Sequence, residues 1–299
     1  MSNKFTDAMS HLFDVSATID LLQYDFVQQA LIAGAILGLL AGVIGPLIVS
    51  RQMSFAVHGT SELSLTGASA ALLVGISVGA GAIVGSVVAA ILFGLLGAKA
   101  RDRDSVIGVI MAFGLGLSVL FIWSYEGRTG TSFSLLIGQI VAPGNSGLAL
   151  LLLCAVVVIG VLALIYRPLL FASTDPDVAE ARGVPVRALS IVFAVLVGIT
   201  AALGVQIVGA LLVMALLITP AAAAAFVTAS PVKATILSIA FAELAAVGGI
   251  LLSLAPGVPV SSFVTTISFV IYLICRLGGS RRRKNAGRVA AGRVAAHTH

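Results

Sequence analysis

Of the chain's 299 residues, 59% are apolar and only 10% are charged, with 17 basic residues against 12 acidic ones and a mean hydropathy of +1.14. A water-soluble domain devotes about a quarter of its residues to charge, so the composition excludes one and points to a multispanning membrane protein. The two cysteines, Cys154 and Cys275, lie far apart in separate apolar runs, which suggests neither a disulfide framework nor a thiolate metal site.

The first 25 residues carry four Asp and a single Lys. No cleavable leader is expected, because the start is not basic and the first apolar run is a full span. Phe5, Met9, Leu12, Phe13 and Leu22 recur at loosely helical spacing, and residues 5–22 read either as an interfacial helix or as a leader without fixed structure.

A spanning helix needs about 20 apolar residues to cross ~30 Å of hydrocarbon. Residues 26–50 fit one crossing, and residues 52–98, whose only charge is Glu62, predict two that part around Ser77–Gly81. One more is predicted over 105–125. Residues 129–166 are uncharged but interrupted by Pro143-Gly144-Asn145, which leaves a crossing at 147–166 and a short piece, 132–142. Residues 188–232 predict two crossings parted near Gly204-Val205-Gln206, and 234–275 two more divided by Pro256-Gly257-Val258-Pro259. The expected fold is an all-α polytopic membrane protein of about nine transmembrane helices. Its transmembrane domain is residues 26–276, between an extracytoplasmic or interfacial segment, 1–25, and a basic tail, 277–299, without fixed structure.

Cytoplasmic loops retain Lys and Arg, and fifteen of the seventeen basic residues fall on one side of this topology: Arg51, Lys99, Arg101, Arg103, Arg167, Arg182, Arg187, Lys233, Arg276 and the six from Arg281 to Arg293. That side is expected to be cytoplasmic, the amino terminus outside and the carboxyl terminus inside. An even number of crossings must then separate Arg103 from Arg167, so 132–142 is expected to be re-entrant or interfacial. Gly34, Gly38 and Gly42, four residues apart, predict close helix packing.

Ionisable groups inside a span cost roughly 2.5–3.5 kcal/mol each on insertion scales. Three occur here: His58, Glu62 and Glu243. His58 and Glu62 are four apart and share one helix face. An imidazole and a carboxylate so placed can both reach one divalent cation, and this donor pair suits zinc, manganese or ferrous iron better than cuprous ion. Two ligands leave the shell to be completed by a second copy, other polar groups or water. The alternative is a simple His58–Glu62 hydrogen bond near the interface. Glu243 has no neighbour in sequence to pair with and reads either as a structural carboxylate or as a pathway residue.

Between two spans lies the polar stretch Ser173–Arg187. Asp175 followed by Pro176 is a helix start, and Gly183 followed by Pro185 a helix stop. A helix of about two turns is predicted, either as an ordinary capped loop or as a lever for a cytoplasmic partner. No G-x-x-x-x-G-K-[ST] loop occurs, so any ATP hydrolysis is expected on another chain. The protein is expected to be a transport subunit and not an enzyme, with no nucleic-acid partner.

Several segments together resemble the membrane permease family of bacterial zinc/manganese ABC importers, over residues 24–275. Asp175-Pro-Asp177-Val-Ala179-Glu180-Ala-Arg-Gly183 resembles the family's Asp-x-Glu-x-Ala-x-x-x-Gly pattern. Val208–Ala222 and Leu135-Leu-Ile-Gly-Gln-Ile-Val141 resemble two further family segments. The resemblance implies the ABC importer permease fold, a homodimeric or pseudo-dimeric channel in the bacterial cell membrane, a cytoplasmic ATPase dimer and an extracytoplasmic solute-binding protein. It also implies that residues 175–183, with Asp175, Asp177, Ala179, Glu180 and Gly183, dock on the ATPase.

Arg51-Gln52-Met53-Ser54 is similar to the family's Arg-Arg-Met-Ser. Where the family continues with Asp-x-x-x-His and then Pro, this chain has His58, Glu62 and Thr66. The exchanged order retains one imidazole and one carboxylate, with zinc or manganese as transported cargo and no permanently bound cofactor. Two other readings stand beside this one: a permease for a metal chelate or cobalamin-like ligand, which would want more aromatics than 6%, and an ion-coupled secondary transporter using Glu62 and Glu243.

Overall fold

The computed structural model describes residues 15–96, 103–125, 144–208, 210–256 and 258–296, and every element among them is an α-helix. In chain order these are α1 (Val15–Leu21), α2 (Asp25–Ser50), α3 (Ser54–Val74), α4 (Val78–Leu96), α5 (Arg103–Ser124), α6 (Gly144–Thr174), α7 (Pro176–Ala181), α8 (Val186–Val208), α9 (Ala210–Leu217), α10 (Thr219–Val227), α11 (Pro231–Leu254) and α12 (Val260–Ala296).

Among the described residues six helices are long and apolar enough to cross a membrane: α2, α6, α11 and the apolar parts of α5 (Asp104–Ser124), α8 (Val186–Val205) and α12 (Val260–Gly279). The other three expected crossings coincide with α3, α4 and the pair α9–α10. At 21 residues α3 is long enough, but His58, Glu62 and its Ser and Thr residues make it polar. The apolar stretch of α4, Val78–Phe93, is shorter than a full span. The final apolar run of 188–232 is broken between α9 and α10, where Thr219 and Pro220 start a new helix.

Three boundaries differ from the sequence expectation. The α3–α4 break is at Gly75, whose φ of +78° is left-handed and suits glycine. Gly81 instead lies inside α4, where a Cβ would strike the Gly67 carbonyl oxygen. Residues 204–206 do not interrupt α8: Gly204 is there because Val213 folds back so closely that a Cβ would sit 3.0 Å from its Cγ2. At the other end of the chain, α12 continues as helix to Ala296, through most of the tail where composition predicts no fixed structure. The short piece 132–142, including the Leu135–Val141 motif, lies outside the described residues, as do Phe5, Met9, Leu12 and Phe13.

Glycine seams set how the helices pack. Along α2, a Cβ on Gly34 would meet Ile250 of α11, and one on Gly42 would meet the Ile239 backbone, so α2 and α11 approach as closely as membrane helices can. Gly67 of α3 lies as tightly on Gly81 and Gly85 of α4. The result places α3 against α4, α5, α8 and α9, while α2 packs on α6, α8, α10 and α11. Leu37, Leu40, Ile44 and Phe193 fill the centre. The large exposed apolar side chains, among them Phe113 and Trp123 of α5 and Leu164 of α6, form the surface that hydrocarbon would cover.

Candidate metal site

Helix α3 is set by a very short reversal. After α2 ends at Ser50, Gln52 takes a left-handed φ of 53°, and three backbone bonds close the turn: Arg51 N–H to Leu47 O at 3.1 Å, Gln52 N–H to Val49 O at 3.2 Å and Met53 N–H to Ile48 O at 3.0 Å. Met53 is buried beneath it. The start of α3 is therefore fixed to the end of α2 with little slack.

His58 lies just over one turn into α3 and is half-buried. Its Nδ1 is buried with no hydrogen-bond partner, and its ring stands 6.5 Å from Phe55. Glu62, one turn further, is only 8% exposed. The two groups are thus one turn apart on α3, Glu62 buried and His58 half-buried. An orphaned imidazole nitrogen beside a buried carboxylate leaves unused donor capacity, which costs free energy unless a ligand visits it. The nitrogen–oxygen donor set suits a borderline or hard divalent cation.

The same face continues upward in hydroxyls. Thr66 Oγ1 donates to Gly114 O on α5 at 2.9 Å, and Ser118 Oγ lies 2.8 Å from Thr66 Oγ1. Thr66 is where the related motif has proline, and here its side chain ties α3 to α5.

The third ionisable residue stands apart. Glu243 belongs to α11, and its carboxylate lies over Gly38 of α2, where a Cβ would come within 3.1 Å of it. Among the described residues no three His, Cys, Asp or Glu side chains gather closely enough to hold a metal. Glu243 therefore does not join His58 and Glu62. Nor do those two line the large cavity of about 660 Å³ at the basic end, which α3 borders through Ala56 and Thr60.

The capped loop folds as its sequence predicts. Asp175 accepts a hydrogen bond from Val178 N–H at 3.1 Å, Pro176 occupies the first turn, and Gly183 closes the helix at a φ of +81°. Ala179 is fully buried against the bundle, while Asp175, Asp177 and Glu180 are exposed. One side of α7 is thus an anchor and the other an open polar face.

Arg51 is conspicuous in the sequence only for its charge and motif, yet it makes long-range side-chain contacts. Its guanidinium donates to Ser173 Oγ at 3.0 Å and to Ser190 Oγ, and lies 5.7 Å from the centre of the Phe193 ring. Its place in Arg51-Gln-Met-Ser54 was the available signal.

A family model described as the ABC 3 transport family matches residues 23–278. The chain belongs to that family. Among its relatives is the manganese transport system membrane protein MntC of Listeria monocytogenes, 32% identical over 258 residues, which cover 85% of this chain and 92% of that protein. The manganese import system permease protein ScaB of Streptococcus parasanguinis is also 32% identical, over 89% of this chain and 95% of its own. Of the solved structures, PsaBC from Streptococcus pneumoniae in complex with Fab matches with a TM-score of 0.79 and 28% identity, over 87% of this chain and 95% of that one. A structure assigned to the metal-chelate type of ABC transporter, in an inward-facing conformation, matches at a TM-score of 0.65 and 19% identity and shares the fold. This member of the ABC 3 family is accordingly an integral membrane transport subunit and not an enzyme.

Proposed function

We propose that the chain is the permease of an ATP-driven importer whose cargo is a divalent transition metal, manganese foremost and zinc next, with His58 and Glu62 as transient ligands. The observation that carries this reading is the buried, partnerless Nδ1 of His58 one turn from the buried Glu62 carboxylate. The names of the manganese relatives favour manganese among the cations that this donor pair accepts. Two protein ligands hold an ion loosely, which suits release; a closed cage of four would retain it. A second copy of the chain, with Thr66 or water, completes the shell.

In this reading α3, α4 and α9–α10 bring the crossings to nine, the basic end faces the bacterial cytoplasm, and the amino terminus lies outside. Residues 175–183 dock on a separate ATPase dimer through their exposed polar face, and a solute-binding protein delivers the ion. The likeness to the metal-chelate transporter is one of fold and does not favour a chelate as cargo.

Uptake of manganese and zinc into proteoliposomes carrying the assembled complex tests the assignment. His58→Ala and Glu62→Ala are each expected to abolish most uptake. Parent-like uptake of both metals by both variants overturns it.

A further inference from the structure

The two ends of the segment bearing α7 are held by one side chain from elsewhere. Ser173 is two residues before the Asp175 cap, and Ser190 lies one turn into α8, just after Gly183 and Pro185. Arg51 donates to both hydroxyls. Each serine spends its own proton on its own helix, Ser173 on Leu169 O at 2.6 Å and Ser190 on Val186 O at 2.9 Å. Both oxygens are thereby left as acceptors aimed at the guanidinium. Phe193, fully buried, supports the guanidinium and limits the plane it can adopt.

Arg51 is also the first residue of the α2–α3 reversal. The three backbone bonds, the left-handed Gln52 and the buried Met53 leave this turn no easy way to flex. A displacement of Ser173 or Ser190 pulls on Arg51, seven residues before His58, and a pull on Arg51 moves the start of α3. The 660 Å³ cavity beside it, bordered by Glu180 of α7 and by Ser173, Arg187 and Ser190, gives α7 room to move.

We infer that Arg51 is a positioning residue that relays movement of α7 to the metal-bearing helix α3, making the ATPase-docking segment and the His58–Glu62 pair one mechanical unit. The inference rests on the proposed importer function. Arginine is required because one planar group must serve two diverging acceptors and lie against a ring, which the point charge of lysine cannot do. Because Arg51 does not touch the cargo, its loss changes the yield of each ATP and not the binding of the ion.

The test uses the assembled permease–ATPase complex in proteoliposomes, measuring manganese uptake and ATP hydrolysis together. Arg51→Lys is expected to raise the ATP consumed per ion by about tenfold, a typical coupling between two sites, with the manganese concentration at half-maximal uptake unchanged. The Ser173→Ala/Ser190→Ala double variant, which leaves Arg51 in place, is expected to raise the ratio similarly, and combining it with Arg51→Lys to add little further. A parent-like ratio in Arg51→Lys, or in the serine double variant if Arg51→Lys fails to assemble, overturns the relay. So does a shift in half-maximal concentration with the ratio unchanged. A parent complex that moves no metal, or parent-like uptake of both metals in both His58→Ala and Glu62→Ala, overturns the proposed function instead.

Discussion

Replacing Gly67 by alanine isolates the contact that sets the tilt of α3. A Cβ there would strike the Gly81 carbonyl oxygen and lie 2.8 Å from Gly85 Cα and 2.9 Å from its nitrogen. All three are backbone atoms of α4, so no side chain can swing aside and the helices must separate. Overpacking of this kind costs about 1–3 kcal/mol, and a rigid backbone neighbour places Gly67→Ala at the upper end. Gly108, on α5, has nothing within 4 Å of where its Cβ would be. Gly108→Ala should therefore stabilise by about 0.5–1 kcal/mol through helix propensity alone. The same chemical change at two helical glycines thus differs by about 3.5–4 kcal/mol, or roughly 300- to 700-fold in the folding equilibrium at 1.4 kcal/mol per decade. Thermal unfolding of the detergent-purified protein, followed by the monodisperse fraction remaining after heating, measures the difference. Equal midpoints for the two variants would show that α3 and α4 are not in the close contact described.

Further outcomes follow from the same geometry. Thr66→Val removes the hydroxyl that links α3 to α5 and is expected to destabilise by about 1 kcal/mol, as for one internal hydrogen bond, with parent-like unfolding counting against the link. Asp175→Ala removes the α7 cap at a local cost of about 0.5–2 kcal/mol; accelerated amide exchange over 176–181, with the rest of the bundle unchanged, is the expected signature. Asp175→Arg and Gly183→Pro are expected to leave the protein inserted but to uncouple ATP hydrolysis from uptake, and unchanged coupling in both would remove the docking role of α7. Glu243→Gln is expected to keep manganese uptake while Glu62→Gln loses it, because Glu243 sits over Gly38 and away from the pair; equal losses would put Glu243 back in the pathway.

Much of this organisation is written in local signals. The α7 helix is announced by Asp175-Pro176 and Gly183, since capping and left-handed closure are properties of a few adjacent residues. The turn before α12 is announced by Pro256 and Pro259, and the seam along α2 by Gly34, Gly38 and Gly42. His58 and Glu62 are conspicuous because ionisable groups are rare in apolar runs. What escapes sequence reading depends on distant partners. Gly204 looks like a break but is a contact with Val213, and the interruption at Thr219-Pro220 is hidden by the apolar residues around it. The bonds from Arg51 to Ser173 and Ser190 join positions more than 120 apart, a pairing no periodicity encodes. The separation of Glu243 from His58 and Glu62 is likewise a matter of which helices meet.

The tight reversal between α2 and α3 also bears on how the chain is made. A segment holding His58 and Glu62 is a poor candidate for leaving the translocon alone, at roughly 2.5–3.5 kcal/mol per charged group on insertion scales. Its predecessor is strongly apolar over 26 residues, and the link of Arg51–Met53 is too short to let the two partition separately. On the proposed nine-crossing topology, the pair should enter the bilayer as one helical hairpin during synthesis, the apolar arm carrying the polar one across before any cargo is present to neutralise it.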